Sequence, residues 1–134
     1  MNDLLFVYGT LLDDKNKYGA YLIDHSKYFA KASLSARLFD LGDYPGAVID
    51  ADAPGKIQGV LRKIDDPETV LGVLDIYEGF GIDQPQPNEF VRVLTEVETV
   101  QGAVLSWIYV YNLSLENLPE ITGDYFAGLS HDRS

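Results

Sequence analysis

Short apolar runs, each halted within about ten residues by glycine, proline or a polar cluster, leave this chain room for many strands and only two helices. Leu4 to Tyr8 is a short apolar run stopped by Gly9, the pattern of a buried first strand. Asp13 to Asn16 is a polar break. Tyr18, Tyr21 and Leu22 follow at i, i+3 and i+4, which predicts a short helix. Leu34, Ala36 and Leu38 alternate with Ser35, Arg37 and Phe39 and predict a strand. Asp43-Tyr44-Pro45-Gly46 is turn chemistry, because proline presets φ and glycine accepts a positive one. Brief strands are expected at Ala47 to Ile49 and at Lys56 to Ile64. Asp66-Pro67-Glu68 opens a helix, with Asp66 as cap, Pro67 at the first helical position and Glu68 at the positive dipole end. That helix should run through Leu71, Leu74 and Glu78 and stop at Gly79. Gly81 to Asn88, with Pro85 and Pro87, is expected as loop. Phe90 to Val100 and Ala103 to Tyr111 then form two strands joined by a hairpin turn at Gln101-Gly102. Strands interrupted by two helices predict an α+β domain rather than a parallel α/β sheet.

The length of 134 residues fits one domain, and 46% hydrophobic residues supply its core. Residues 1–128 are expected to form it, with 129–134 a frayed polar tail. The sequence contains no cysteine, which excludes disulfides, thiolate nucleophiles and Cys-ligated zinc. A net charge of −11 repels phosphate backbones and anionic lipid, so neither nucleic acid nor membrane is expected as a partner. Met1 to Val7 lacks the basic region of a signal peptide, and no apolar run reaches the length of a membrane span. The expected location is the cytoplasm.

Most conventional catalytic patterns are missing. His25 and His131 lack metal-ligand spacing, and there is no nucleophile elbow, P-loop or dinucleotide fingerprint. Two places remain. Tyr8-Gly9-Thr10-Leu11 follows the first strand, where a glycine turn exposes N–H groups to an anion. Glu78 is the second. It lies four residues after Leu74 and seven after Leu71, on the apolar helix face. Burial, the negative dipole end and the neighbouring Tyr77 and Phe80 would all raise its pKa, and such a carboxyl exchanges protons near neutral pH. The same position also allows an ion pair with Arg92, or release to solvent through fraying.

Taken together, the segments resemble the γ-glutamylcyclotransferase-like (AIG2-like) family. Phe6-Val7-Tyr8-Gly9-Thr10-Leu11 resembles its opening signature, Tyr44-Pro45-Gly46 its Y-P turn, and Leu74-Asp75-Ile76-Tyr77-Glu78-Gly79 its L-D-x-x-E-G helix end. Phe90-Val91-Arg92-Val93 is similar to its Y-x-R-x strand start, and Gly123-Asp124-Tyr125 to a G-D-W element. Phe90 and Tyr125 depart from the family's tyrosine and tryptophan. The resemblance implies a small mixed β-barrel flanked by short helices. It also implies cyclisation of a γ-glutamyl amide to 5-oxoproline with release of an amine. On this likeness Glu78 is the acid/base, and Tyr8, Gly9, Thr10, Leu11, Tyr44, Pro45, Phe90 and Arg92 bind substrate. No metal or cofactor is implied. The amine half stays open among glutathione, γ-glutamyl amino acids, γ-glutamyl polyamines and ε-(γ-glutamyl)lysine. A binding module without turnover and a hydrolase using Glu78 to activate water are the competing expectations.

Overall fold

Alternation along the first strand, β1 (Leu4–Val7), divides its side chains between two cores. Phe6 points into a cluster with Leu34, Leu38, Ile57, Leu61, Val97 and Ile108. Leu5 and Val7 point the other way, toward Leu22, Val70, Leu71 and Leu74 of the helical layer. The structure, a computed structural model, describes residues 1–8 and 16–121 together with the backbone of 125–126.

The first core is the inside of a barrel. Five strands close on themselves in the order β2 (Ser26–Asp40), β5 (Phe90–Thr99), β6 (Gly102–Tyr111), β1 and β4 (Lys56–Ile64), with β4 pairing back onto β2. Closure removes the unpaired edges that an open sheet would present. The pairings are antiparallel except between β1 and β6, where Leu5 lies beside Trp107, so the barrel is mixed as expected. Outside the ring, β3 (Pro45–Ile49) and β7 (Glu120–Ile121) pair with β2, and β8 (Tyr125–Phe126) runs parallel to β4.

β2 is far longer than the Leu34 to Phe39 segment that the alternation predicts. It pairs with β4 from Ser26 to Ser35 and then with β3 from Ala36 to Asp40. Its first half has no clean alternation because Lys27, Tyr28 and Phe29 are exposed, and the register shifts between Tyr28 and Ala30. Such a bulge bends a strand and accentuates its twist.

Where β1 crosses β4 the backbones approach closely at Gly59. A Cβ there would lie 2.5 Å from the Val7 carbonyl oxygen and 2.7 Å from Cζ of Phe6. Neither neighbour has room to retreat, since both belong to the barrel. Gly59→Ala should therefore destabilise the fold by about 1–3 kcal/mol. Denaturant unfolding of the two proteins measures this, and an unchanged midpoint would mean that the barrel relaxes at no cost.

α1 (Lys17–Asp24) and α2 (Pro67–Glu78) cover the outer face of β1. Asn16 caps α1, its Oδ1 accepting the N–H groups of Tyr18 (2.9 Å) and Gly19 (3.2 Å). α2 starts at Pro67 as expected, but Asp66 does not cap it with its side chain. Asp66 adopts a left-handed conformation at φ 41°, and its carboxylate instead accepts the hydroxyl of Thr69. Among the described residues no helix is long and apolar enough to cross a membrane.

Candidate active site

α2 ends where the sequence says it should, and the manner of its ending places Glu78. Gly79 takes a left-handed conformation at φ 75°. The Phe80 N–H donates to the Asp75 carbonyl at 2.9 Å and the Gly79 N–H to the Ile76 carbonyl at 3.2 Å. These two bonds form a Schellman motif, in which the positive φ suits glycine. Glu78 is thus the last helical residue, with Leu74 and Leu71 buried on its face one and two turns back.

A second anchor acts one turn earlier. Asp75 receives Arg92 in a two-pronged ion pair, Nε to Oδ1 at 2.8 Å and Nη2 to Oδ2 at 3.1 Å. Tyr109 also donates its hydroxyl to Oδ1 at 2.6 Å. Arg92 and Tyr109 face each other across β5 and β6, and the guanidinium lies over the Trp107 ring at 4.3 Å. Asp75 therefore ties the end of α2 to the barrel wall through a fork–fork bond of the stronger kind.

These anchors hold Glu78 in a cleft of about 90 Å³ lined by Tyr44, Tyr77, Glu78, Glu89 and Phe90. Tyr44 and Phe90 approach at 6.1 Å, and Phe90 meets Tyr111 edge-on at 5.6 Å. Tyr77 stacks on Tyr18 at 4.4 Å, and Asn16 donates to its hydroxyl at 3.2 Å. No hydrogen bond ties the Glu78 carboxyl to a described residue. Burial first, and then the negative charges of Glu89 and Asp75, together push its pKa up to about 8. The ion pair between Glu78 and Arg92, left open by the sequence, does not form, because Arg92 is engaged by Asp75.

The raised pKa has a consequence for stability. Unfolded, Glu78 ionises near 4.5; folded, it keeps its proton to about 8. Its protonated form suits the native state, so that contribution is fully present below pH 4.5 and is lost as pH rises to about 8. With allowance for partial solvent contact the loss should be about 1–3 kcal/mol. Melting curves of the parent and of Glu78→Gln across this range should diverge as pH rises, the variant becoming the more stable. Parallel curves would mean that Glu78 titrates normally.

The residues expected at the site are dispersed. Tyr44, Phe90 and Glu78 line the cleft together. Pro45 is buried at the start of β3, beside Tyr44 and opposite Asp40. Tyr8 lies in the barrel core, where its hydroxyl donates to the Tyr109 carbonyl at 2.6 Å and accepts the Ala47 N–H at 3.0 Å. Burial holds this phenol well above its usual range, and Glu78 adds to the effect. Arg92 stands behind the site and does not line it. Gly9, Thr10 and Leu11 lie outside the described residues, as do Gly123, Asp124 and the proposed tail at 129–134.

Glu89, the next candidate for the proton role after Glu78, and Tyr77, expected to keep water from it, also line the cleft. Glu89 precedes β5 and carries no periodicity that would mark it. Its carbonyl accepts the Asn112 N–H at 2.8 Å, and its carboxylate Oε2 accepts the Tyr44 hydroxyl at 2.5 Å. Burial and this bond to Glu89 hold the Tyr44 phenol well above its usual range.

A protein-family model described as "Gamma-glutamyl cyclotransferase, AIG2-like" matches residues 5–127. The chain is 32% identical over 109 residues to the "Gamma-L-glutamyl-butirosin B gamma-glutamyl cyclotransferase" of Niallia circulans, covering 81% of this chain and 66% of that protein. It is 34% identical over 113 residues to a Vibrio cholerae protein called "Putative gamma-glutamylcyclotransferase", covering 83% of this chain and 84% of that one. Among solved structures it resembles YkqA of Bacillus subtilis, with a TM-score of 0.66 and 28% identity. That match covers 93% of this chain but only 40% of YkqA.

Proposed function

This chain belongs to the gamma-glutamyl cyclotransferase, AIG2-like family, and from that premise we propose that it cyclises a γ-glutamyl amide to 5-oxoproline and releases the amine, with Glu78 carrying the proton. The observation behind this reading is a carboxyl with its pKa raised to about 8, lining a small cleft at a doubly anchored helix end. The names of the Niallia and Vibrio relatives support the same reaction class.

In the reaction the α-ammonium of the γ-glutamyl group gives a proton to the Glu78 carboxylate. The freed nitrogen then attacks the γ-carbonyl carbon, forming the lactam C–N bond. The amide C–N bond breaks, and Glu78 returns its proton to the departing nitrogen. The nitrogen that attacked gives up its remaining surplus proton and the departing amine takes one up, so the lactam is neutral and the amine leaves as an ammonium. A carboxyl near 8 is a closer match to an ammonium than one at the ordinary 4.5, so both transfers are nearly balanced. Ring closure is intramolecular, and holding the donor folded supplies much of the acceleration.

A screen of γ-glutamyl amides for 5-oxoproline tests the reading. Release of the lactam with an equal amount of amine supports it. Release of free glutamate instead would make the protein a hydrolase with Glu78 activating water. Binding without either product would make it a ligand-binding module.

A further inference from the structure

The walls of the cleft carry two carboxylates, Glu78 and Glu89, and three aromatic rings, but no basic side chain among the described residues. The nearby arginine that could balance them is bound to Asp75. Glu78 is accounted for by the reaction proposed above; Glu89 is not. Yet Glu89 is held with care. Its backbone is fixed by Asn112, while Asn88 next to it is buried and binds both the N–H and the carbonyl of Gly81. Its Cβ lies 3.9 Å from where a Cβ on Gly79 would sit, so it stands directly beside the helix end that presents Glu78. Tyr44 donates to one carboxylate oxygen, Oε2, and no described residue bonds the other. A carboxylate fixed on one oxygen and open on the second, among aromatic faces, is a receptor for an ammonium.

We propose that Glu89, oriented by Tyr44, selects amine halves that carry a second protonated nitrogen close to the scissile amide, as in a short diamine or an amino sugar. The inference rests on the cyclisation reading, since it assigns the leaving side of that same cleft. The closeness follows from position, because Glu89 stands beside the helix end that presents Glu78, its Cβ 3.9 Å from where a Cβ on Gly79 would sit. The net charge of −11 favours the approach of such a substrate.

Two amides of nearly equal shape test this: the γ-glutamyl monoamide of 1,4-diaminobutane and the γ-glutamyl amide of butylamine. The quantity read is the ratio of their kcat/KM values, in which any effect of Glu89 on Glu78 itself cancels. The parent should favour the charged amide by about 10- to 100-fold, the effect of one charge-assisted hydrogen bond. Glu89→Gln should bring the ratio near one, and Tyr44→Phe should lower it partway. A parent ratio near one, or a variant that slows both amides equally, overturns the proposal. Calorimetric titration with 1,4-diaminobutane separates the two readings and needs no turnover. If neither amide releases 5-oxoproline but the diamine binds only while Glu89 is intact, cyclisation fails and the cation site stands. If both amides turn over alike and the diamine does not bind, cyclisation stands and the cation site fails. The parent's ratio and its diamine binding decide the matter even if Glu89→Gln does not fold.

Discussion

Glu78→Gln should leave the protein folded and lower the release of 5-oxoproline from any γ-glutamyl amide it accepts by at least about 10². The amide is nearly isosteric with the protonated carboxyl, so the Schellman bonds of Gly79 and Phe80 and the packing of Leu71 and Leu74 have no reason to change. On the proposed reading, what is lost is the group that accepts a proton from the attacking nitrogen and returns it to the leaving one. The fall should appear in kcat, because the shape of the cleft is kept while the proton transfers belong to the transition state. Steady-state assays with melting curves on the same preparations check both halves. Turnover equal to the parent's would remove Glu78 from the chemistry.

Asp75→Ala is expected to cost about 3–5 kcal/mol, the largest stability effect at the site. Arg92 and Asp75 side chains are only 12% and 17% exposed, so the variant would leave a guanidinium largely buried without its counter-charge. It would also strip the Tyr109 hydroxyl of its acceptor. Arg92→Ala alone should cost less, because Asp75 would keep Tyr109, and the double variant should recover part of the loss. Denaturant melts of the three proteins give the coupling between the partners. Additive losses would show that the pair contributes nothing as a pair. Since Asp75 anchors the helix end, Asp75→Ala should also slow the proposed cyclisation under conditions where the variant is folded.

Elements whose sequence carries its own punctuation were legible. β4 runs over the segment Lys56 to Ile64 that its alternation marks, and α2 spans Pro67 to Glu78, between a proline and a glycine with simple local roles. β5 and β6 are joined as the hairpin pattern implies, with the turn one residue earlier than expected, at Val100-Gln101, and Gly102 already pairing with Thr99. The first half of β2 was not legible, because its residues answer to pairing with β4 and not to an apolar face of their own. β7 and β8, two residues each, exist only through their partners. At the site, Glu78 stood out because a carboxylate on an apolar helix face is anomalous in one dimension. Glu89 was only the next candidate, since its relation to Tyr44 spans 45 residues and appears only when the residues just before β3 and β5 meet. The converse holds for Arg92 and Tyr8. Their place in motifs suggests ligand contact, and only the structure shows the partners they hold within the protein, Asp75 for Arg92 and Tyr109 and Ala47 for Tyr8.

Because Phe6 and Tyr8 belong to the barrel core while Leu5 and Val7 belong to the helical layer, β1 is a shared wall. Neither compartment can shed this strand without exposing the other. The wall makes the molecule a single cooperative unit, in which local opening of the helix that bears Glu78 draws on the stability of the barrel behind it. A ligand in the cleft therefore reinforces amides on the far side of the barrel as well as those beside it, through the population of the intact state and without any motion passing between them.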